Sequence, residues 1–176
     1  MNTLSITKSK TFLEDFYRDY SRFKHGSKTV ARSFGKRLAL EVGPRLKDES
    51  SLVIYPAPYN NVPTASSALK DYLLSNLSNT FVEKNIQVKE GKIHRLYSYD
   101  NDYGSMSKEE RKLAISSDQF SIDKNFFNPE DILIFIDDIK ITGSHEERIR
   151  ELLAREKITN EVIFIYLVEY TGEDPS

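Results

Sequence analysis

Residues 132–144 read Ile-Leu-Ile-Phe-Ile-Asp-Asp-Ile-Lys-Ile-Thr-Gly-Ser, and this stretch constrains the fold more than any other part of the chain. Residues 132–136 are apolar without interruption, the pattern of a strand buried on both faces in the centre of a parallel sheet. Two adjacent carboxylates, Asp137 and Asp138, follow, and then Thr142-Gly143-Ser144. An amphipathic helix begins there, with Ile149, Leu152 and Leu153 on one face and Glu146 and Glu147 in its first turn, where acids are favoured by the helix dipole. The expectation is a buried strand with paired acids at its C-terminal tip, feeding a turn whose N–H groups open a helix. Such a turn suits a phosphate, and the acids suit sugar hydroxyls or magnesium. The residues by themselves point to a sugar-phosphate or nucleotide site.

Upstream, Phe12, Phe16, Tyr20 and Phe23 recur at helical spacing, and Val30, Phe34 and Leu38 line a second helix from about Ser27 that Gly43-Pro44 ends. Leu52-Val53-Ile54-Tyr55 is a short apolar run stopped by Pro56, hence a core strand. Thr64 caps a helix that turns Ala68, Leu69, Tyr72 and Leu73 inward. Residues 86–88, 93–97 and 120–122 read as short strands, 107–115 as a short helix with a capping box, and 162–168 as a last buried strand. Strands alternating with helices predict an α/β fold, a doubly wound, mainly parallel sheet with ligands at the C-terminal ends of its strands. With 176 residues and no linker or repeat, the chain reads as one domain, 1–176, divided into an N-terminal helical region (1–50) and a core (51–170).

Composition narrows the function classes. A net charge of -2 argues against wholesale coating of nucleic acid. The segment Arg18–Arg37 is locally basic, with seven Lys/Arg against Asp19 alone, and reads first as a solvated helix face. The absence of cysteine removes thiol catalysis, disulfides and cysteine-ligated zinc, and fits a reducing, cytoplasmic setting. No stretch approaches the roughly 18 apolar residues of a membrane span.

The order of strand, acid pair, Thr-Gly and helix resembles the phosphoribosyl-pyrophosphate (PRPP) signature of type I phosphoribosyltransferases. Arg95, the run Gly104-Ser105-Met106-Ser107-Lys108-Glu109-Glu110-Arg111 and Phe120 resemble the mobile catalytic loop of the ComF-like branch of that family, with Met106 where Leu is usual. The resemblance implies the type I phosphoribosyltransferase sheet with an N-terminal helical hood, PRPP and a nucleobase-like acceptor as substrates, Mg2+ as cofactor, and a homodimer. It implies that Asp137 and Asp138 bind the ribose hydroxyls, directly or with magnesium. Ile141, Thr142, Gly143, Ser144 and His145 would wrap the 5′-phosphate, and Ala57, Pro58, Tyr59 and Asn60 would touch pyrophosphate. Arg95, Tyr103, Ser105 and Arg111 become the catalytic candidates as the loop 99–107 closes.

Departures from the pattern refine this. His145 replaces the last Thr of the phosphate loop. Ile141 stands where hypoxanthine-guanine enzymes carry Asp, which argues against that substrate class. Lys140 fills a commonly apolar slot, and residues 56–63 contain no Arg or Lys. The zinc-binding cysteines at the start of full-length ComF proteins are absent. The resemblance therefore supports two readings. One is a transferase moving phosphoribosyl to or from a nitrogen heterocycle. The other is a PRPP- or nucleotide-sensing regulator on the same fold, with the basic N-terminal stretch free to contact RNA or DNA. A response-regulator receiver lacks support, since no acidic cluster lies near the N-terminus.

Overall fold

The computed structural model describes residues 2–9, 14–58, 65–96 and 119–170. In chain order these form β1 (Asn2–Ser9), α1 (Glu14–Lys24), α2 (Lys28–Val42), β2 (Ser51–Pro56), α3 (Ala65–Glu83), β3 (Gln87–Glu90), β4 (His94–Leu96), β5 (Gln119–Ser121), β6 (Ile132–Lys140), α4 (Ser144–Arg155) and β7 (Val162–Tyr170). Five strands make one sheet in the order β1-β7-β6-β2-β3, and every neighbouring pair in it is parallel. β4 and β5 form a separate antiparallel ribbon.

Alternation along the central strands builds two cores. Leu52 and Ile54 of β2 and Ile132, Ile134 and Ile136 of β6 face the layer made by α1, α2 and α3. Val53, Tyr55, Leu133 and Phe135 face the other side, where α4 and the β4–β5 ribbon cover them. A strand covered on both faces must be apolar at every position, which is why residues 132–136 show no alternation. The three rings of Tyr55, Phe135 and Phe164 stack across neighbouring strands at centroid separations of 5.2 and 5.4 Å.

Two expectations need correction. Residues 2–9 are an edge strand, so the N-terminal region is not wholly helical. Asn-Thr-Leu-Ser-Ile-Thr-Lys-Ser is mostly polar, as an edge with a single strand neighbour allows. β6 does not end at the acids. It stays paired with β7 through Lys140↔Glu169, while its pairing with β2 stops at Pro56↔Ile136. The aromatic stripe of α1 packs as its helical spacing implies: Phe16 and Phe23 lie against Phe34 of α2, 5.6 and 5.5 Å between centroids. Phe12, Thr64 and the helix expected at 107–115 lie outside the described residues.

The step where β6 outruns β2 positions the site. From β2 the chain crosses through α3 to β3 in one direction; from β6 it crosses through α4 to β7 in the other. The crevice between the C-terminal ends of β2 and β6 is the topological switch point of the sheet, where doubly wound folds hold their ligands.

The helix layer depends on one close approach. A Cβ at Gly35 of α2 would lie 2.4 Å from Tyr72 Cβ and 2.9 Å from the Tyr72 carbonyl carbon of α3. Helix propensity favours Ala over Gly by about 1 kcal/mol, but overpacking against backbone costs about 1–3 kcal/mol. With contacts that close, the clash falls at the upper end of that range, so Gly35→Ala is expected to lower the urea midpoint with an unchanged denaturant slope, a net loss of about 2 kcal/mol on unfolding curves.

Candidate ribose-phosphate site

Because neighbouring strand residues point to opposite faces, Asp137 and Asp138 do not share a side of the sheet. Asp138 follows Ile134 and Ile136 toward the α1 layer and is only 4% exposed. Its Oδ2 accepts from the Tyr20 hydroxyl at 3.1 Å and from Lys24 Nζ at 2.6 Å, and its Oδ1 accepts from the Ile139 N–H at 3.0 Å. Burial first, and the neighbouring Asp137 second, push the Asp138 carboxyl above its ordinary range, while the bond to Lys24 pulls it back. Burial and the charge of Asp138 drive the Tyr20 phenol strongly upward, so it stays a hydroxyl donor.

Asp137 follows Leu133 and Phe135 toward α4. Its Oδ1 accepts from the Asp138 N–H at 2.8 Å, and its Oδ2 lies 3.1 Å from His145 Nδ1. Its side chain is 17% exposed and borders an open cavity of about 200 Å³ formed by residues 141–146 with Lys140 and Tyr166. All five residues expected to surround the 5′-phosphate therefore line one cavity beside one of the two expected ribose acids. Gly143, at φ +76°, takes the left-handed conformation that turns the chain from β6 into α4. A Cβ there would meet Lys140 Cε at an ordinary 3.4 Å, so the backbone angle and not space demands glycine. Thr142 Oγ1 reaches Ser144 Oγ at 3.2 Å, which tightens the turn.

Ala57 and Pro58, expected to touch pyrophosphate, border a small cavity with Asp137 and His145, so the C-terminal end of β2 faces the same crevice. Arg95 lies on β4 opposite Phe120, but its side chain is outside the described residues. Tyr59, Asn60, Tyr103, Ser105 and Arg111 are also outside them.

Beneath the phosphate turn lies an ionic cluster that the sequence pattern does not announce. Glu146 is 6% exposed. It accepts from Arg150 Nε at 2.9 Å, from the Tyr166 hydroxyl at 3.0 Å and from Thr3 Oγ1 at 3.4 Å, and pairs with Lys140 at 3.0 Å. Lys140 also reaches Glu169 at 3.3 Å. This explains a lysine in a commonly apolar slot: it joins β6 to α4 and β7 directly under the turn. Lys24, Tyr20 and Glu146 were missed as site residues because a heptad-scale pattern shows which face a side chain occupies, not the distant carboxylate or base it meets.

Burial alone would push Glu146 upward, but the hydrogen bonds from Arg150, Lys140 and Tyr166 outweigh it and hold the carboxyl below its ordinary value. A depressed carboxyl stabilises the fold fully above the unfolded value of about 4.3 and loses that contribution as pH falls through the folded value. Glu146→Gln should cost about 1.5–3 kcal/mol at pH 7, measured by urea unfolding, because a buried carboxylate loses its charge-assisted bonds from Arg150 and Lys140. The gap between wild type and variant should narrow as the pH falls below about 4.

The sequence profile of the family described as "PRTase ComF-like" matches residues 5–175. No curated protein sequence matches the chain. A hypoxanthine phosphoribosyltransferase from Staphylococcus aureus is similar in structure at 12% identity and a TM-score of 0.45, over 85% of this chain and 68% of that one. An adenine phosphoribosyltransferase is similar at 15% identity and a TM-score of 0.41, over 89% and 76%. The hypoxanthine phosphoribosyltransferase of Trypanosoma cruzi is similar at 10% identity and a TM-score of 0.46, over 85% and 72%. With the family profile spanning nearly every residue, and a parallel sheet carrying its acid pair and Thr-Gly turn at the switch point, the chain belongs to the ComF-like family of phosphoribosyltransferases.

Proposed function

We propose that this chain, acting as a single domain, transfers a phosphoribosyl group from PRPP to a nitrogen of a nucleobase or related heterocycle, or runs the same exchange in reverse. The supporting observation is the shared cavity: Thr142–His145 and Asp137 line it together, and Asp137 and His145 also border the end of β2, as a bound ribose 5-phosphate would need. The 5′-phosphate would rest on the turn at the start of α4, a helix of 12 residues whose N-terminus favours an anion. The ribose would lie over the tip of β6 and its pyrophosphate toward Ala57 and Pro58. Arg95, Arg111, Ser105 and Tyr103 are the proposed partners of the pyrophosphate.

In the transfer, the bond from ribose C1 to the pyrophosphate oxygen breaks and the electron pair leaves with pyrophosphate. A heterocycle nitrogen supplies the pair for the new bond from the opposite face and then gives up its proton. Positive charge gathers on the ring in between, so the work of the protein is to align the reactants, neutralise the leaving group and keep water out. The acceptor would enter a groove of about 570 Å³ between the α1–α2 turn and α3, bordered by Lys24, Ala31, Ala68 and Tyr72.

Magnesium accompanies PRPP in the transferase reading, as the cation of its pyrophosphate. The acid pair does not fit direct coordination in this conformation: Asp138 Oδ2 is held by Lys24 and Tyr20, and Asp137 Oδ2 by His145. A regulator that senses PRPP without turning it over is the second reading, favoured by that occupied acid and by a 56–63 loop without Arg or Lys. Among the described residues no helix is long and apolar enough to cross a membrane. A cytoplasmic homodimer is the proposed working form.

Ser144→Asp separates a phosphate site from a plain helix cap. A carboxylate in the first turn of α4 should leave the melting temperature unchanged or raise it, since the dipole favours an acid there by roughly 0.3–1 kcal/mol. The same change should weaken PRPP binding in calorimetry by about thirtyfold or more, a loss of about 2 kcal/mol. Undiminished binding would sink the phosphate assignment. Release of pyrophosphate with any member of a panel of heterocycles identifies the transferase; saturable PRPP binding with no release across the panel identifies the sensor.

A further inference from the structure

The carboxylate that tops the central strand already carries a cation from its own chain. Lys24 closes α1, and its ammonium sits 2.6 Å from Asp138 Oδ2 although 114 residues separate the two. The Tyr20 hydroxyl, one helical turn earlier, meets the same oxygen at 3.1 Å, and the ammonium lies 5.7 Å from the centre of the Tyr20 ring. The partner on the other oxygen is the Ile139 N–H at 3.0 Å. A carboxylate offers about four acceptor positions, so three of them are taken here by the protein. The Lys24 side chain is 46% exposed and the Asp138 side chain 6%, so the lysine reaches in from the rim to a carboxylate that solvent scarcely touches.

A magnesium ion needs near-octahedral coordination at about 2.1 Å and keeps several of its waters. A carboxylate only 4% exposed, wedged between a tyrosine and an ammonium, has no room for that shell unless Lys24 withdraws. Among the described residues no group of three or more His, Asp and Glu side chains is arranged to hold a metal. A lysine in this position provides the charge neutralisation without the waters.

We infer that Lys24 is the resident counter-cation of Asp138, a positioning residue that stands where a divalent ion would otherwise bind this carboxylate, so that a ribosyl ligand engages Asp138 without direct metal coordination. Only the identity of the ligand rests on the phosphoribosyl reading; the exclusion of the metal rests on the contact itself. Any magnesium would then arrive with the pyrophosphate.

Two measurements test this, and they fail separately. Manganese titrations followed by electron paramagnetic resonance need no organic ligand. Wild type and Lys24→Arg should show no stoichiometric manganese site. Lys24→Ala should bind manganese more tightly than wild type, and Lys24→Ala combined with Asp138→Asn should lose that increase. A wild-type site that vanishes with Asp138→Asn would overturn the inference, as would a folded Lys24→Ala protein whose manganese binding is unchanged. Because Lys24 lies at an exposed helix end, Lys24→Met, which keeps the aliphatic stem, serves as the second variant if alanine disturbs folding, and it carries the same expectation. Ribose 5-phosphate, which has no pyrophosphate to chelate metal, is the second probe. Its calorimetric affinity for wild type should differ by less than about threefold between EDTA and excess magnesium, and a fall of about tenfold or more in EDTA would overturn the inference. If neither ribose 5-phosphate nor PRPP binds wild type in either buffer, the phosphoribosyl reading fails while the manganese result still decides the role of Lys24.

Discussion

Everything at the candidate site follows from the two-residue period of β6. A strand buried on both faces sends consecutive side chains to opposite layers, so two carboxylates adjacent in sequence end in different surroundings. Asp138 enters the helical layer and is enclosed by α1, while Asp137 enters the α4 layer and borders the phosphate turn. A one-residue slip in the pairing of β6 with β2 or β7 would exchange them and bury the wrong acid against the wrong helix. The continuous ladder from Leu133↔Val162 to Lys140↔Glu169 guards against that slip.

Each carboxylate near the strand tip is matched to a base of its own. Asp138 has Lys24, Asp137 has His145, and Glu146 has Arg150 and Lys140. This division lets several acids crowd one end of the sheet without mutual repulsion dominating. It also separates tasks. The Glu146 cluster is buried and holds β6, α4 and β7 in register, whereas the Asp137–His145 pair is half-open to the cavity and can exchange partners with a ligand. Lys24 stands between these extremes, since it reaches a buried acid and also borders the groove under α3.

The sequence made some of this visible and hid the rest for physical reasons. The apolar run at 132–136, the glycine at 143 and the amphipathic helix after it are local signals, and strand, left-handed turn and α4 appear where those signals lie. The helical spacing of Val30, Phe34 and Leu38 likewise marks the buried face of α2. β1 gave only a weak signal: Leu4, which packs against the helix-side core, and Ile6 are its sole apolar residues among Asn, Thr, Ser and Lys. Lys24 sat in a basic stretch that read as solvated, and nothing nearby in the chain indicates Asp138 as its partner. Tyr20 lies on an aromatic stripe that does pack, and its hydroxyl has a second task that spacing cannot encode. The positions at the site that most needed coordinates are those whose partners lie farthest along the chain.

β1 lies at the sheet edge against β7, with Asn2 opposite Ile163 and Ser9 opposite Tyr170. The opening strand therefore has no partner until the final strand is made, a pairing of very high contact order that carries a large loop-closure cost. During synthesis the chain can pair β2, β3 and β6 well before that contact exists. The sheet is thus closed last at its β1 side, and until that strand docks β7 presents an unpaired edge that another chain could extend.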